Sequence, residues 1–169
     1  SLSRAGILPG AVDEVIMGQV LQAGAGQAPA RQVALGAGLP FDTPCTTINK
    51  VCGSSLKAAM IAATEIRAGV ANLVVAGGME SMSNAPRFVR SAERGEDVPY
   101  AELISILSND GLKDAYSGEM MGNTGETVAN EFDVKRDVSD AYAVRSHRLA
   151  SAAWDQGWLA KEAFAVGDL

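Results

Sequence analysis

The sequence predicts an α/β fold in which parallel strands alternate with helices. The first reason is the continuous apolar run NLVVAGG at residues 72–78, which is typical of a parallel strand buried on both faces. The second reason is the order of the elements, because the segments up to this run alternate as β-α-β-α-β. The third reason is composition, since 47% hydrophobic and 20% charged residues in a chain of 169 suffice for a packed core.

The strands are expected in the first half of the chain. β-branched and apolar residues predict three of them, near residues 15–18, 44–51 and 72–78. Pro29 and Gly38 mark the beginning and the end of the first connecting helix. The second connecting helix is expected over residues 53–68. Because few polar residues interrupt it, we expect it to be buried on nearly all sides.

The second half of the chain is predicted to be mainly helical. Three helices are expected, near residues 101–107, 124–132 and 137–156, with a turn at 109–111 after the first of them. The charged segment at residues 87–100 indicates an excursion over the surface. Since no strand is evident after Ser81, we expect a boundary there. It separates part of a core domain, at residues 1–81, from the start of a helical loop domain, at residues 82–169.

Charge and motifs argue against several classes of function. The net charge of -6 disfavours nucleic acid as a partner, because phosphate binding requires a basic surface. The loop AGAGQAP does not match the dinucleotide pattern GxGxxG, and Cys45 and Cys52 match neither a disulfide framework nor a zinc site, so no metal is expected. No apolar run reaches the ~18–20 residues that a membrane span needs, so no membrane partner is expected either. Reduced thiols favour a cytoplasmic location.

Cys52 is the candidate nucleophile. It lies between the β-prone run that ends at Val51 and the helix expected to begin at Gly53. The unpaired N–H groups at a helix N-terminus carry partial positive charge, which stabilises a thiolate and lowers the pKa of such thiols from about 8.5 to about 3.5–7.5. The alternative is a buried cysteine that packs as a small apolar residue, and sequence position alone leaves both open.

Four segments resemble the thiolase family, and they occur in the family's order. NKVCGSSLKAAM (residues 49–60) resembles its nucleophile segment, and EVIMGQVLQAGAGQAPARQVALGAGLP (14–40) resembles the stretch before it. VVAGGMESMSNAP (74–86) resembles the strand and turn that follow, and DGLKDAYSGEMMGNTGETVA (110–129) resembles the substrate-loop segment. The resemblance implies a mixed five-stranded sheet layered with helices, incomplete here. One more strand and helix would precede Ser1, with that strand in the middle of the sheet.

The resemblance also implies an activity and the residues that carry it. The protein would be a CoA-dependent acyltransferase, an acetyl-CoA C-acetyltransferase or C-acyltransferase, that forms or thiolytically cleaves 3-ketoacyl-CoA. Cys52 would attack an acyl-CoA and hold the acyl group as a thioester. Leu112 and Met121 match positions that line the pocket for CoA or the acyl chain. Met120 is assigned to the same pocket, although many acetoacetyl-CoA-type members carry histidine there, and Glu80 matches a turn near the active site.

Further expectations concern cofactors and partners. Coenzyme A would be substrate and product, with no permanently bound cofactor, and acyl-CoA compounds would be the partners. The family's strand before the nucleophile pairs across a twofold axis, so a homodimer or homotetramer is expected, and the segment at residues 44–51 is β-prone enough for that role.

Parts of the thiolase apparatus do not occur in the sequence. The family's Gly-His-Pro motif, which carries the base, and its second cysteine are absent from these residues. His147 is expected to be a solvated helix residue without a catalytic role, and Cys45 is expected to pack in the core. We therefore expect a piece of a longer protein, nearly inactive by itself, whose missing termini leave an organellar location open. A ketoacyl-synthase-like condensing enzyme and a non-catalytic acyl-CoA-binding fragment are the alternatives.

Overall fold

The structure is a computed structural model that describes residues 1–90, 95 and 97–166. It consists of two compact units, Ser1–Gly118 and Glu119–Leu169. The α/β fold predicted from the sequence is confirmed. The charged segment predicted as a surface excursion lies partly outside the described residues, at 91–94 and 96. The expected division at Ser81 concerns the domains of the complete protein and stays a prediction.

A three-stranded parallel sheet forms the centre of the first unit. Its strands are β1 (Glu14–Gly18), β2 (Cys45–Ile48) and β3 (Val74–Gly78), in the order β2-β1-β3. Val15 of β1 pairs with Cys45 on one side and with Val75 on the other. β1 is therefore paired along both of its edges. The expectation that a further strand lies in the middle of the sheet is wrong, because the three strands are contiguous and leave no place for it between them.

Helices on opposite faces of the sheet connect its strands, as parallel pairing requires. After the short helix α1 (Leu2–Ala5), α2 (Pro29–Gly36) joins β1 to β2, and α3 (Ser54–Arg67) joins β2 to β3. Side chains alternate along a strand. Val15 packs with Ala34 of α2 in the core cluster, whereas Gly18 approaches Ser54 of α3. The predicted strands and both connecting helices are confirmed, although β2 is shorter than the expected segment.

Helix α3 is buried on one face only, so the prediction that it is buried on nearly all sides is wrong for this chain. Ser54, Ala58 and Ala62, each four residues apart, are buried, and their small side chains let the helix approach the sheet closely. On the outer face Leu56 is 69% exposed and Met60 is 54% exposed. The sequence pattern showed correctly that α3 is apolar all round, but among the described residues no element covers the outer face.

The segment after β3 also differs from the prediction of helices alone. Strands β4 (Arg87–Phe88) and β5 (Ile104–Ser105) form an antiparallel pair, and a π-helical turn follows at Leu107–Leu112. The predicted helix at residues 101–107 and the predicted turn at residues 109–111 are therefore wrong. Tertiary contacts explain why this segment is not helical. The Arg87 guanidinium donates a hydrogen bond to the C=O of Leu103 at 3.2 Å and lies 4.9 Å from the centre of the Tyr100 ring, which holds this segment extended.

The second unit contains two helices close to their predicted places. They are α4 (Met121–Glu131), which begins three residues earlier than expected, and α5 (Arg136–Asp155). α5 is followed by Gly157, whose φ of 72° is typical of the residue after a helix end. None of the helices in the described part of the chain combines the length and the apolar character that crossing a bilayer requires.

Hydrogen bonds of Asp13 link the beginning of β1 to the beginning of β3. Its Oδ2 accepts hydrogen bonds from the N–H groups of Asn72 at 2.7 Å and Leu73 at 3.0 Å. These N–H groups, that of Asn72 most strongly, hold the pKa of the Asp13 carboxyl below its ordinary value of 3.8. Because the folded-state pKa is depressed, the carboxylate stabilises the fold at neutral pH. That contribution is lost as the pH falls through the folded-state pKa.

We predict that Asp13→Asn lowers the melting temperature at neutral pH. Both N–H groups donate to the same oxygen, Oδ2, and an amide oxygen in its place lacks the negative charge, so both hydrogen bonds become about half as strong. The difference from the parent protein should shrink between about pH 5 and about pH 3, as the parent carboxylate is protonated. Thermal unfolding followed by circular dichroism across this range measures it. Asp42→Asn, at an exposed position, is the control for the lost charge. If the melting temperature of Asp13→Asn is lower than that of the parent by the same amount at every pH, the prediction is contradicted.

Candidate active site

The first unit contains a cavity of about 390 Å³ at the carboxyl ends of β1 and β3. This volume lies in the range of small-molecule pockets, roughly 300–1,000 Å³. Four chain segments form its wall: the end of β1, the start of α3, the turn after β3 and the π-helical turn. The lining residues are 18–21, 51–52, 54–55, 78–80, 82, 107 and 111–112. Cys52 lies in this wall and is exposed, so its thiol is accessible to a ligand in the cavity.

Two glycines at the strand ends let α3 approach the sheet. A Cβ at Gly18 would lie 2.6 Å from the Cβ of Ser54 and 2.7 Å from the backbone N of Ser55. A Cβ at Gly78 would lie 1.9 Å from the Oγ of Ser55. The overlap at Gly18 includes the backbone of α3, whereas the overlap at Gly78 is with the side chain of Ser55. The absence of side chains at both positions therefore fixes the distance between the first turn of α3 and the strand ends.

The turn before Cys52 is strained and is held by hydrogen bonds. Val51 has a φ of 48°, a conformation that β-branched residues rarely adopt and that costs on the order of 1–3 kcal/mol. The buried Ser54 holds this turn, because its Oγ accepts from the N–H of Lys50 at 2.8 Å and donates to the C=O of Val51 at 2.6 Å. Asn49 Oδ1 accepts from the N–H of Val51 at 2.9 Å. These bonds fix the direction in which the chain enters Cys52.

The loop after β1 is held by the same network. Glu80 Oε2 accepts from the N–H of Val20 at 2.9 Å, and Glu80 Oε1 accepts from the N–H of Leu21 at 3.2 Å. On the other side of this loop, Asn49 Nδ2 lies 3.4 Å from the C=O of Val20 and donates to it. The N–H of Gln19 donates to the C=O of Ile48 at 3.0 Å. The loop is thus held against both neighbouring strands of the sheet.

The structure brings together some of the residues predicted from the sequence. Cys52 and Leu112 line the same cavity. Met120 and Met121 lie in the second unit, at the residue before α4 and at its first residue, with 39% and 45% of their surface exposed. Their expected role in the pocket stays a prediction.

Neither of the two residues predicted to have no part in the chemistry is among the residues that line the cavity. His147 is exposed on α5, as expected. Cys45 is half-buried against the core cluster, and its thiol donates to the C=O of Thr43 at 3.3 Å. Among the described residues, no group of three or more histidine, cysteine, aspartate and glutamate side chains is placed to hold a metal ion.

Several residues of the site were not identified from the sequence. Gly18 and Asn49 act through contacts with residues about 30 or more positions away, which a local pattern does not show. The hydrogen bonds of Ser54 are local, but they depend on the conformation of the turn before Cys52. The sequence signal for Gly18 and Gly78 was present, since both are glycines at the ends of predicted strands, where glycine often marks close approach of another backbone.

The profile of the family described as thiolase, N-terminal domain, matches residues 1–167. The chain belongs to the thiolase family. Its fold agrees with a crystal structure of the Acat5 thiolase from Ascaris suum in complex with coenzyme A. The TM-score is 0.90 and the identity is 40%, and the match covers 99% of this chain and 43% of that chain.

Curated relatives of this thiolase chain carry the name acetyl-CoA acetyltransferase. One from Cupriavidus necator is 51% identical over 157 residues, which is 93% of this chain and 40% of the relative. Acetyl-CoA acetyltransferase 2 of Arabidopsis thaliana is 47% identical over 157 residues, 93% of this chain and 39% of the relative. The mitochondrial acetyl-CoA acetyltransferase A of Xenopus laevis is 48% identical over 164 residues, which is 96% of this chain and 38% of the relative. The thiolase chain thus spans about two fifths of the length of these relatives.

We predict that Gly18→Ala destabilises the thiolase fold by about 1–3 kcal/mol, because the new methyl group overlaps the backbone of α3. Displacement of the first turn should also change the alkylation rate of Cys52 by iodoacetamide. Urea unfolding and alkylation kinetics measure the two effects. The matched control is Gly36→Ala in α2, where no atom lies within 4 Å of the added Cβ and no loss of stability is expected. Equal stability of Gly18→Ala and the parent would contradict the close approach.

Proposed function

We propose that the complete protein is a thiolase that uses Cys52 as its acyl-accepting nucleophile. The observation that carries this proposal is the accessible Cys52 thiol in a pocket-sized cavity at the carboxyl ends of two parallel strands. Ligands of open α/β sheets bind in this location. The reaction would be the transfer of an acyl group between CoA thioesters, with formation or thiolytic cleavage of a 3-ketoacyl-CoA. The acetyl-CoA acetyltransferase names of the relatives favour this activity over a ketoacyl-synthase-like condensing reaction.

The acylation step is an exchange of one thioester for another. The Cys52 thiolate attacks the carbonyl carbon of the acyl-CoA, and a tetrahedral oxyanion forms. When it collapses, the carbon–sulfur bond to CoA breaks, CoA leaves as a thiolate that takes up a proton, and the acyl group remains on Cys52. In our proposal the N–H of Cys52 donates to the oxyanion, since the adjacent Gly53 allows close approach.

The acyl-enzyme then reacts in one of two directions. In synthesis, a carbanion derived from a second acetyl-CoA attacks the acyl group, which gives a 3-ketoacyl-CoA and frees Cys52. In degradation, Cys52 first takes the acyl group from a 3-ketoacyl-CoA, acetyl-CoA leaves, and free CoA accepts the acyl group. Both directions need a base, and the single histidine of the chain is the exposed His147 on α5. The base is therefore expected in the remainder of the complete protein.

Leu112, Met120 and Met121 are the proposed contacts for CoA or the acyl chain. Leu112 supports this role most directly, because it lines the cavity that contains Cys52 and keeps 39% of its surface exposed. Coenzyme A would bind as substrate and product, as it is bound in the Ascaris suum thiolase structure. The flexible thioethers of Met120 and Met121 suit acyl chains of different length.

We propose two cellular locations, from the state of the cysteines and from the names of the relatives. Both cysteines are free thiols, which fits a reducing compartment such as the cytoplasm. The names of relatives from Xenopus laevis and Danio rerio contain the word mitochondrial, which makes mitochondria the second proposal. A thiolase in either place would act in fatty acid metabolism. Imaging of the tagged complete protein distinguishes the two locations.

Acylation of Cys52 is the direct test of the proposed function. We predict that incubation of the complete protein with acetyl-CoA, followed by mass spectrometry of its peptides, finds acetyl on Cys52. Cys52→Ser should abolish the label and the activity, whereas Cys45→Ser, a matched change of the other cysteine, should keep both. Acetyl on Cys45 with Cys52 unlabelled would contradict the assignment. A parent protein that binds acyl-CoA but is never acylated would instead be a non-catalytic binding protein.

We also predict that the complete protein is a homodimer or homotetramer. Among the described residues β2 pairs with β1 alone, and in our proposal its other edge pairs with β2 of a second copy. Analytical ultracentrifugation measures the state. A fully active parent protein that sediments as a monomer at all concentrations would overturn this prediction.

A further inference from the structure

We infer that Glu80 is a positioning residue for the acylation of Cys52, an inference that rests on the proposed function. Glu80 follows β3 and lies in the wall of the cavity. Its carboxylate fixes the loop after β1, and this loop in turn contacts the turn before Cys52 on one side and the π-helical turn on the other. Glu80 thereby sets the position of the nucleophile relative to the opposite wall of the cavity.

The hydrogen bonds of Glu80 explain why a carboxylate is required. Oε2 accepts from the N–H of Val20 at 2.9 Å and from the N–H of Leu21 at 3.3 Å, and Oε1 accepts from the same Leu21 N–H at 3.2 Å. Two successive backbone donors therefore face one side chain with two acceptors. Hydrogen bonds to an ionised acceptor are about twice as strong as neutral ones. A glutamine of the same size lacks the charge and, with its amide oxygen in the place of Oε2, turns its NH2 group toward the N–H of Leu21.

One arm of the network leads from this loop to the nucleophile. The C=O of Val20 accepts from Asn49 Nδ2 at 3.4 Å, and Asn49 Oδ1 accepts from the N–H of Val51 at 2.9 Å. Val51 is the strained residue immediately before Cys52. A strained turn persists only when surrounding bonds hold it. A displacement of the Val20 backbone therefore displaces Val51 and the adjacent Cys52 through the side chain of Asn49.

The other arm leads to the opposite wall of the cavity. The side chain of Leu21 is 6% exposed, and its Cδ2 lies 3.4 Å from the position that a Cβ of Gly111 would occupy. Gly111 precedes Leu112, the residue proposed to contact the ligand. The backbone N–H of Leu21 donates to Glu80. The π-helical turn therefore packs against a residue whose position Glu80 fixes. Glu80 thus acts on both sides of the reacting thiol through the backbone that it holds.

Asp13 provides a matched control at the other end of the same two strands. It also accepts from two successive backbone N–H groups, those of Asn72 and Leu73, and it also links β1 to β3. It precedes β1 and does not line the cavity. Both substitutions remove the charge of a carboxylate that accepts from two successive N–H groups between the same two strands. Glu80→Gln does so in the wall of the cavity that contains Cys52, and Asp13→Asn does so outside it.

The experiment compares these two variants in the complete protein. Single-turnover acylation of Cys52 by saturating acetyl-CoA gives the rate constant of the chemical step, and thermal unfolding gives the stability. We expect both variants to lower the melting temperature. Glu80→Gln should lower the acylation rate constant by about 10-fold or more, since misplacement of a reacting group by about 1 Å can cost ~100-fold. Asp13→Asn should leave the rate constant within about twofold of the parent value.

The outcomes separate the inference from the function on which it rests. If the parent protein is acylated and Glu80→Gln is acylated equally fast, or if Asp13→Asn slows acylation as much, the positioning role is overturned and the proposed function stands. If the parent protein is not acylated at Cys52, the proposed function fails and the inference falls with it. Should Glu80→Gln not fold, Asn49→Asp tests the same network, because it keeps the acceptor for Val51 and loses the donor to Val20. An unchanged rate constant there would also overturn the inference.

Discussion

The structure depends on the close approach of the first turn of α3 to the carboxyl ends of β1 and β3. Gly18 and Gly78 make it possible, because any side chain at either place would overlap Ser54 or Ser55. Burial of small residues along the same face of α3 extends the contact over the length of the helix. The position of Cys52 follows from this packing, since the residue lies just before the helix that the strand ends hold. A thiol on a loop without such support would not have a fixed direction.

A carboxylate links β1 to β3 at each end of this strand pair. Asp13, before β1, accepts from backbone N–H groups that precede β3, and Glu80, after β3, accepts from backbone N–H groups that follow β1. Each carboxylate accepts from backbone donors at one end of the parallel pair. The two sites have similar chemistry, yet only Glu80 lies in the wall of the cavity. The same bond is therefore structural at one end of the sheet and bears on the proposed chemistry at the other.

Much of the fold could be predicted because its signals are local. The apolar run at β3, the β-prone segments at β1 and β2, and the Pro and Gly residues around α2 each specify an element within a few residues. Prediction failed where distant contacts decide the backbone. The segment at residues 101–112 has helix-forming residues, but the pairing of β5 with β4 and the hydrogen bond of Arg87 to Leu103 hold part of it as a strand. Cys52 could be identified as a candidate because its motif is contiguous, whereas the bonds that orient it involve residues up to 60 positions apart.

The sequence by itself determined the alternation of strands and helices, the candidate nucleophile and the resemblance to thiolases, because each depends on residues adjacent along the chain. The tertiary structure decided which residues surround Cys52. The contact of Gly18 with Ser54, the hydrogen bonds of Glu80 to Val20 and Leu21, and the place of Leu112 in the cavity all join segments that only the packed sheet brings together. The order β2-β1-β3 was likewise a matter of tertiary structure, since the pairing of parallel strands is set by how their connecting helices pack and not by the strand sequences alone.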